Sequence, residues 1–378
     1  MKGKFEMKKK IWGIIIGIII IGVGIIVTTN SNNDSAIRLA VNIPLSGPVA
    51  AVSGNYPKGF AMGLEDACKE FNIDPGKIAV DFKDNAANPA TAVSVYRQQS
   101  IKDYDAYVVG TTESASAVVS AMSSTEDKPC FLFVYDAFMT QKSRNCFRVL
   151  PNFKAEAAQW IKYATDKKAK KIFMLTLDMS GTEEQFSKII VPALQAQGIT
   201  CVREIYPAAT TDFRLLTKKI SDNNPDFVFV SGYSFHLIKI LSALRESNIA
   251  AEKIMCSMDF CDLTRTPADR NKYNGITFAC PVFEVDNDNP KIAIWKKRYA
   301  EKYGMMPTYI EAFAYENAYL LIKTYAENGK ISSALCKNTN WTGVSGNLMS
   351  FDVNRDAPVE ITIAELSDGK IIKKKLGE

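Results

Sequence analysis

Four consecutive polar residues, Thr111, Thr112, Glu113 and Ser114, follow the apolar run Tyr107–Val109 and Gly110. The run reads as a buried parallel strand. From Ser114 the pattern turns helical, with Ser114 or Thr112 as N-cap. A strand that ends in a polar turn at a helix N-terminus is where an open α/β sheet takes a ligand. The N–H groups and helix dipole there favour an anion such as a carboxylate. Every βα unit needs a cap of this kind, so the rest of the chain must decide between cap and ligand site.

Other residues offer little chemistry. His236 is the only histidine, so any Ser-His-Asp triad would have to use it, and it reads as a capping or surface residue at a helix start. No G-x-S-x-G elbow, G-x-x-x-x-G-K-[ST] loop or H-E-x-x-H pair occurs. Glu183 and Glu184 read as a helix's first turn, favoured by the dipole. The run Glu284–Asn289 lacks the glycine and terminal glutamate of a calcium loop. The eight cysteines are scattered, which disfavours zinc and leaves disulfides and buried thiols both open. No enzyme, cofactor or metal is expected. With a net charge of +5 and no basic stripe interleaved with aromatics, nucleic acid is not an expected partner.

The elements that must position the turn are those of a two-domain globular chain of 378 residues behind a leader. Lys8–Lys10 precede Ile11–Val27, seventeen residues without a charge. As a helix this run spans about 26 Å, marginally enough for a bilayer core. The lysines keep the leader's start cytoplasmic and send the remainder outward. Thr28–Ser35 is a polar linker without an A-x-A-like site, so an uncleaved signal anchor is expected, with a cleaved signal peptide as the runner-up. From Ile37 strands and helices alternate in two successive blocks, the second beginning near Phe147–Asn152. That alternation predicts parallel sheets covered by helices, in two lobes with a cleft between them. Two long helices, Pro290–Tyr303 and Tyr309–Asn328, follow, then short strands at Ser350–Val353, Glu360–Leu366 and Ile371–Lys374.

At this point the chain resembles the solute-binding proteins of ABC importers, in the branched-chain amino-acid/amide (Leu/Ile/Val-binding) family of type I periplasmic binding proteins. Ile37–Gly59 is similar to that family's opening strand and P-L-S/T-G loop, and Phe82–Ala92 to its D-x-x-x-(D/N)-P-x-x-A segment. Thr211–Phe213 with Pro225–Gly232, and Tyr299–Pro307 with Ala314–Tyr315, resemble its later patterns. The resemblance implies an α/β fold of two Rossmann-like lobes joined by a three-crossover hinge. Lobe one would hold residues 36–151 and 281–340, lobe two residues 152–280 and 341–378, after an anchor and linker at 1–35. The crossings would lie near Phe147–Asn152, Cys280–Glu284 and Trp341–Phe351.

It also implies a ligand site, residue by residue. Ser114 falls where the family sets a hydroxyl on the ligand carboxylate, with Thr112 and Glu113 beside it, and Ala137 where a backbone N–H joins that site. Tyr135 and Asp136 replace a usual small pair, and Met139 stands where threonine is common. Asp136 would repel a carboxylate unless it points away or meets a cation. Tyr233 falls where an aromatic ring packs on the ligand, and Asp259 where an acid receives its ammonium. Ser180-Gly181 and Val52 replace residues that are often aromatic, leaving that wall more open or more polar. The implied partners are a small amino-acid or amide ligand, the importer's permease, and the membrane through the N-terminal helix. The ligand domain is expected outside the cytoplasm, at the cell surface or in a periplasm. The alternative is the same fold as a sensor signalling through a separate membrane partner.

Overall fold

The computed structural model describes residues 37–122, 127–286, 289–337 and 339–375. The anchor expected at Ile11–Val27 and the linker after it lie outside the described residues. The first sheet holds β1 (Ile37–Ile43), β2 (Ile78–Asp84), β3 (Ala106–Gly110), β4 (Cys130–Phe133) and β5 (Cys146–Phe147), all parallel, in the order β2-β1-β3-β4-β5. The second repeats it with β6 (Lys171–Leu177), β7 (Thr200–Tyr206), β8 (Phe227–Val230), β9 (Ile254–Cys256) and β10 (Thr277–Pro281), in the order β7-β6-β8-β9-β10. Central strands are buried along almost their whole length, as parallel strands covered on both faces must be.

The chain passes three times between these lobes. The first passage is Arg148–Asn152, between β5 and the helix Phe153–Asp166. The second leaves β10 at Val282 for the helices Pro290–Tyr303 and Tyr309–Asn328. A two-stranded ribbon, β11 (Trp341–Thr342) with β12 (Leu348–Met349), packs on the latter helix, where Trp341 stacks on Tyr319 at 4.5 Å. The third passage follows the ribbon and enters β13 (Ile361–Ser367), which pairs antiparallel with β10 and with β14 (Lys370–Lys373). Ser350–Val353, expected as a strand, instead bends, because the Asp352 carboxylate accepts from the N–H groups of Asn354 and Asp356. The Asp368-Gly369 hairpin forms as expected, with φ of 49° and 72°.

Helix Tyr56–Glu70 lies against Tyr309–Asn328 at backbone contact distance. A Cβ on Gly59 would come within 2.1 Å of the Glu311 carbonyl oxygen, and one on Gly63 within 2.2 Å of that of Tyr315. Two glycines four apart thus form the groove that receives the second helix. Gly63→Ala must push the helices apart and is expected to cost about 1–3 kcal/mol, read as a lowered denaturant midpoint with unchanged slope. The long helix expected over Thr182–Gln197 is broken into Ser180–Glu183, a π-helical stretch Glu184–Ile190 and Val191–Gln195. Pro192 is the second residue of the last piece, in the first turn, where its missing donor is tolerated.

Candidate ligand-binding site

In both sheets the strand order reverses beside the first strand of the block, between β1 and β3 and between β6 and β8. Such switch points leave a crevice outside the carboxyl ends of the strands. Here the two crevices face each other and enclose a cavity of about 70 Å³. Its walls come from the ends of β1, β3 and β4 on one side and of β6, β8 and β9 on the other.

The β3 end carries the most unusual backbone. Thr111 has φ 67° and ψ 143°, a region that a β-branched residue occupies only under constraint. Its N–H donates to the Phe133 carbonyl at 3.2 Å and its own carbonyl accepts from Ala115. The helix Thr112–Ala121 therefore starts two residues before Ser114, with Thr111 at the cap position and no side-chain capping bond. The first-turn N–H groups of Thr112, Glu113 and Ser114 have no helical carbonyl to bind, and the positive end of the dipole lies at the cavity wall. Thr112 and Glu113 line the cavity, whereas Ser114 is fully buried in the helix's first turn and is not among the lining residues.

Tyr135 also lines the cavity. Its hydroxyl is 2.7 Å from that of Tyr309, and its ring packs on Phe153. Asp136 turns away, because its carboxylate accepts from the Phe138 N–H at 2.9 Å and caps the short helix Ala137–Lys142. Neither Asp136 nor Ala137 lines the cavity, and Met139 is fully buried in the core behind it. The opposite wall presents Tyr233, stacked on Phe235, and Asp259, at the start of the short helix Met258–Thr264. Of the sequence-derived residues, the fold thus brings Thr112, Glu113, Tyr135, Tyr233 and Asp259 to one cavity.

His236 departs from the surface role expected of it. It is buried against Tyr206, and its Nε2 donates to the Ala208 carbonyl at 2.8 Å. Burial lowers its pKa, which favours the neutral ring.

Glu156 is a site residue that sequence reasoning missed. It sits in the first turn of the helix Phe153–Asp166, where an acid is ordinary, so nothing local distinguishes it. Folding brings it to the cavity, where it accepts from the Gln185 side chain at 2.7 Å and the Met258 N–H at 2.9 Å. Burial pushes its carboxyl up to about 7. Burial, with Glu156 and then Asp262 nearby, pushes Asp259 up to about 8. Asp262 is itself held by Arg265, which reaches from lobe two to Glu311 of lobe one at 3.0 Å. The remaining wall is mainly apolar, from Val49, Val52, Leu150, Phe153, Leu177 and Met179. Three carboxylates, of Glu113, Glu156 and Asp259, stand among the lining residues, and no lysine, arginine or histidine does.

A cavity at facing switch points of two α/β lobes defines a two-lobed small-molecule binding protein. A family profile described as periplasmic binding protein matches residues 36–370, and the chain belongs to that family. No curated protein sequence is significantly similar to the chain. Among solved structures, an ABC-transporter solute-binding protein of R. palustris in complex with 4-hydroxybenzoate is 21% identical with a TM-score of 0.74, over 90% of this chain and 96% of that one. The branched-chain amino-acid transporter protein LivJ of Streptococcus pneumoniae, in complex with isoleucine, is 22% identical with a TM-score of 0.72, over 90% and 99%. The leucine-binding protein LivK of Thermotoga maritima is 17% identical with a TM-score of 0.73, over 90% and 98%. At these identities the shared property is the two-lobed fold.

Proposed function

We propose that the chain is the extracytoplasmic solute receptor of an ABC importer, tethered by Ile11–Val27 and closing its lobes on a small amino-acid-like ligand. The observation that carries the ligand class is the charge of the cavity wall. The carboxyl groups of Glu156 and Asp259 face it without any cationic side chain, and the electropositive feature across from them is the first turn of the helix Thr112–Ala121, which also carries Glu113. A ligand with a protonated amine at Asp259 and a carboxylate at the Thr112–Ser114 N–H groups satisfies both ends. The apolar residues between them suit a modest hydrocarbon side chain. In this reading the lobes move about the three connecting passages.

The rings of Phe133, Tyr135, Phe153 and Tyr233 favour a second reading, an aromatic acid such as those bound by the R. palustris relatives. A thermal-shift screen with amino acids, amides, polyamines and benzoates separates the two. A ligand at a hundred times its dissociation constant adds about 2.7 kcal/mol of stability. Stabilisation by amino acids but not by benzoates is expected. The reverse pattern transfers the site to aromatic acids, and no response to any compound favours a receptor that signals through a protein partner.

A further inference from the structure

Cys130 and Cys146 open the neighbouring strands β4 and β5 and are register partners in that parallel pair. Partners on adjacent strands project to the same face, with Cα atoms about 4.8 Å apart, inside the range of about 4.4–6.8 Å that a disulfide spans. The two side chains are hydrogen-bonded to each other, and both are fully buried in an apolar cluster with Tyr107, Leu132 and Met139. Between them lies the segment that carries Val134 and Tyr135 to the cavity wall. Arg355 binds the carbonyls of Cys146 and Thr140, so the far end of that segment is already anchored to the third passage between the lobes.

We propose that Cys130 and Cys146 close a structural disulfide, which pins the two ends of the cavity-wall segment to each other. The oxidant is a small or protein disulfide, as extracytoplasmic compartments supply. The Cys146 thiolate attacks one sulfur of that disulfide and expels a thiol. Cys130 then attacks the Cys146 sulfur of the mixed disulfide and expels the second thiol. Two protein thiols are oxidised, one external disulfide is reduced, and the two protons leave on the departing thiols. The exchange belongs to folding, before β5 docks at the sheet edge and the thiols are enclosed.

The test is alkylation of the full chain, refolded with oxidised glutathione and then unfolded in guanidinium. Two of its eight cysteines are expected to resist alkylation, and digestion should yield a reducible peptide pair joining Cys130 to Cys146. Reductant is expected to lower the thermal midpoint of the wild type by several degrees and to leave the Cys130→Ala/Cys146→Ala variant unchanged. Alkylation of all eight cysteines after oxidation overturns the proposal, as does a bridge from either residue to another cysteine. Both results are read from the wild-type chain, so they stand even if the double variant folds poorly.

Discussion

Asp259→Asn is expected to weaken an amine-bearing ligand by on the order of a hundredfold or more. Removing one partner of an enclosed charge pair costs about 2–5 kcal/mol, because the other charge is left without compensation. The substitution keeps the shape of the side chain and its proximity to Ser257, whose hydroxyl is 3.3 Å from Asp259 Oδ2. Titration calorimetry measures the loss directly. An unchanged affinity would remove Asp259 from the ammonium role and leave Glu113 and Glu156 as the acids facing the ligand.

The same carboxyl makes binding and stability respond oppositely to pH. Burial and the neighbouring Glu156 and Asp262 raise Asp259 to about 8 in the folded chain, far above its value in the unfolded one. Between these two values the folded chain holds a proton that the unfolded chain has lost. The stability that proton contributes is fully present below about pH 4 and is lost as pH rises through about 8. Ligand-free protein is therefore expected to lose thermal stability progressively from about pH 4 to about pH 8, and Asp259→Asn to lose less. Amine affinity should rise over that interval, since the ligand pairs with the ionised carboxylate. Binding near neutral pH should release a proton, visible as a heat that changes with the ionisation enthalpy of the buffer.

Arg148→Met is expected to destabilise the chain by about 3–5 kcal/mol, the usual cost of deleting one member of a buried ion pair. Arg148 is fully buried where the first and third passages between the lobes meet. Its Nη1 donates to the carbonyls of Leu150 at 2.6 Å, Pro151 at 2.9 Å and Val134 at 3.3 Å, and its Nη2 pairs with Asp356 at 2.6 Å. Methionine fills much of the volume but leaves three carbonyls and one carboxylate without their donor. Guanidinium unfolding of the ligand-free chain checks the magnitude. A change below about 1 kcal/mol would mean that water replaces the guanidinium there. Because Val134 and Leu150 also line the cavity, the variant should bind ligand more weakly even under conditions where it is folded.

Features with local causes were legible in the chain. Pro290–Tyr303 and Tyr309–Asn328 have the expected bounds because their ends are written in adjacent residues. Asn289 caps the first and Gly304 ends it, while Thr308 and Glu311 form a capping box on the second and Gly329 ends it. The alternation of apolar strands with amphipathic helices likewise set the α/β class, since each period reports which face must be covered. The turn at Thr111–Ser114 was visible for the same reason.

Tertiary structure decided which of those polar residues face the cavity. Thr111 is held at positive φ by its bond to the Phe133 carbonyl, on a strand more than twenty residues away, and that single torsion starts the helix early and turns Ser114 inward. Glu156, Arg148 and the Gly59–Gly63 groove were equally silent, because what gives each its role is a distant partner: Met258, Asp356 and the Glu311 and Tyr315 carbonyls. Local pattern records what a residue's own backbone needs. A binding site is assembled from residues far apart in the chain, and the free energy that selects them is that of their mutual packing and charge.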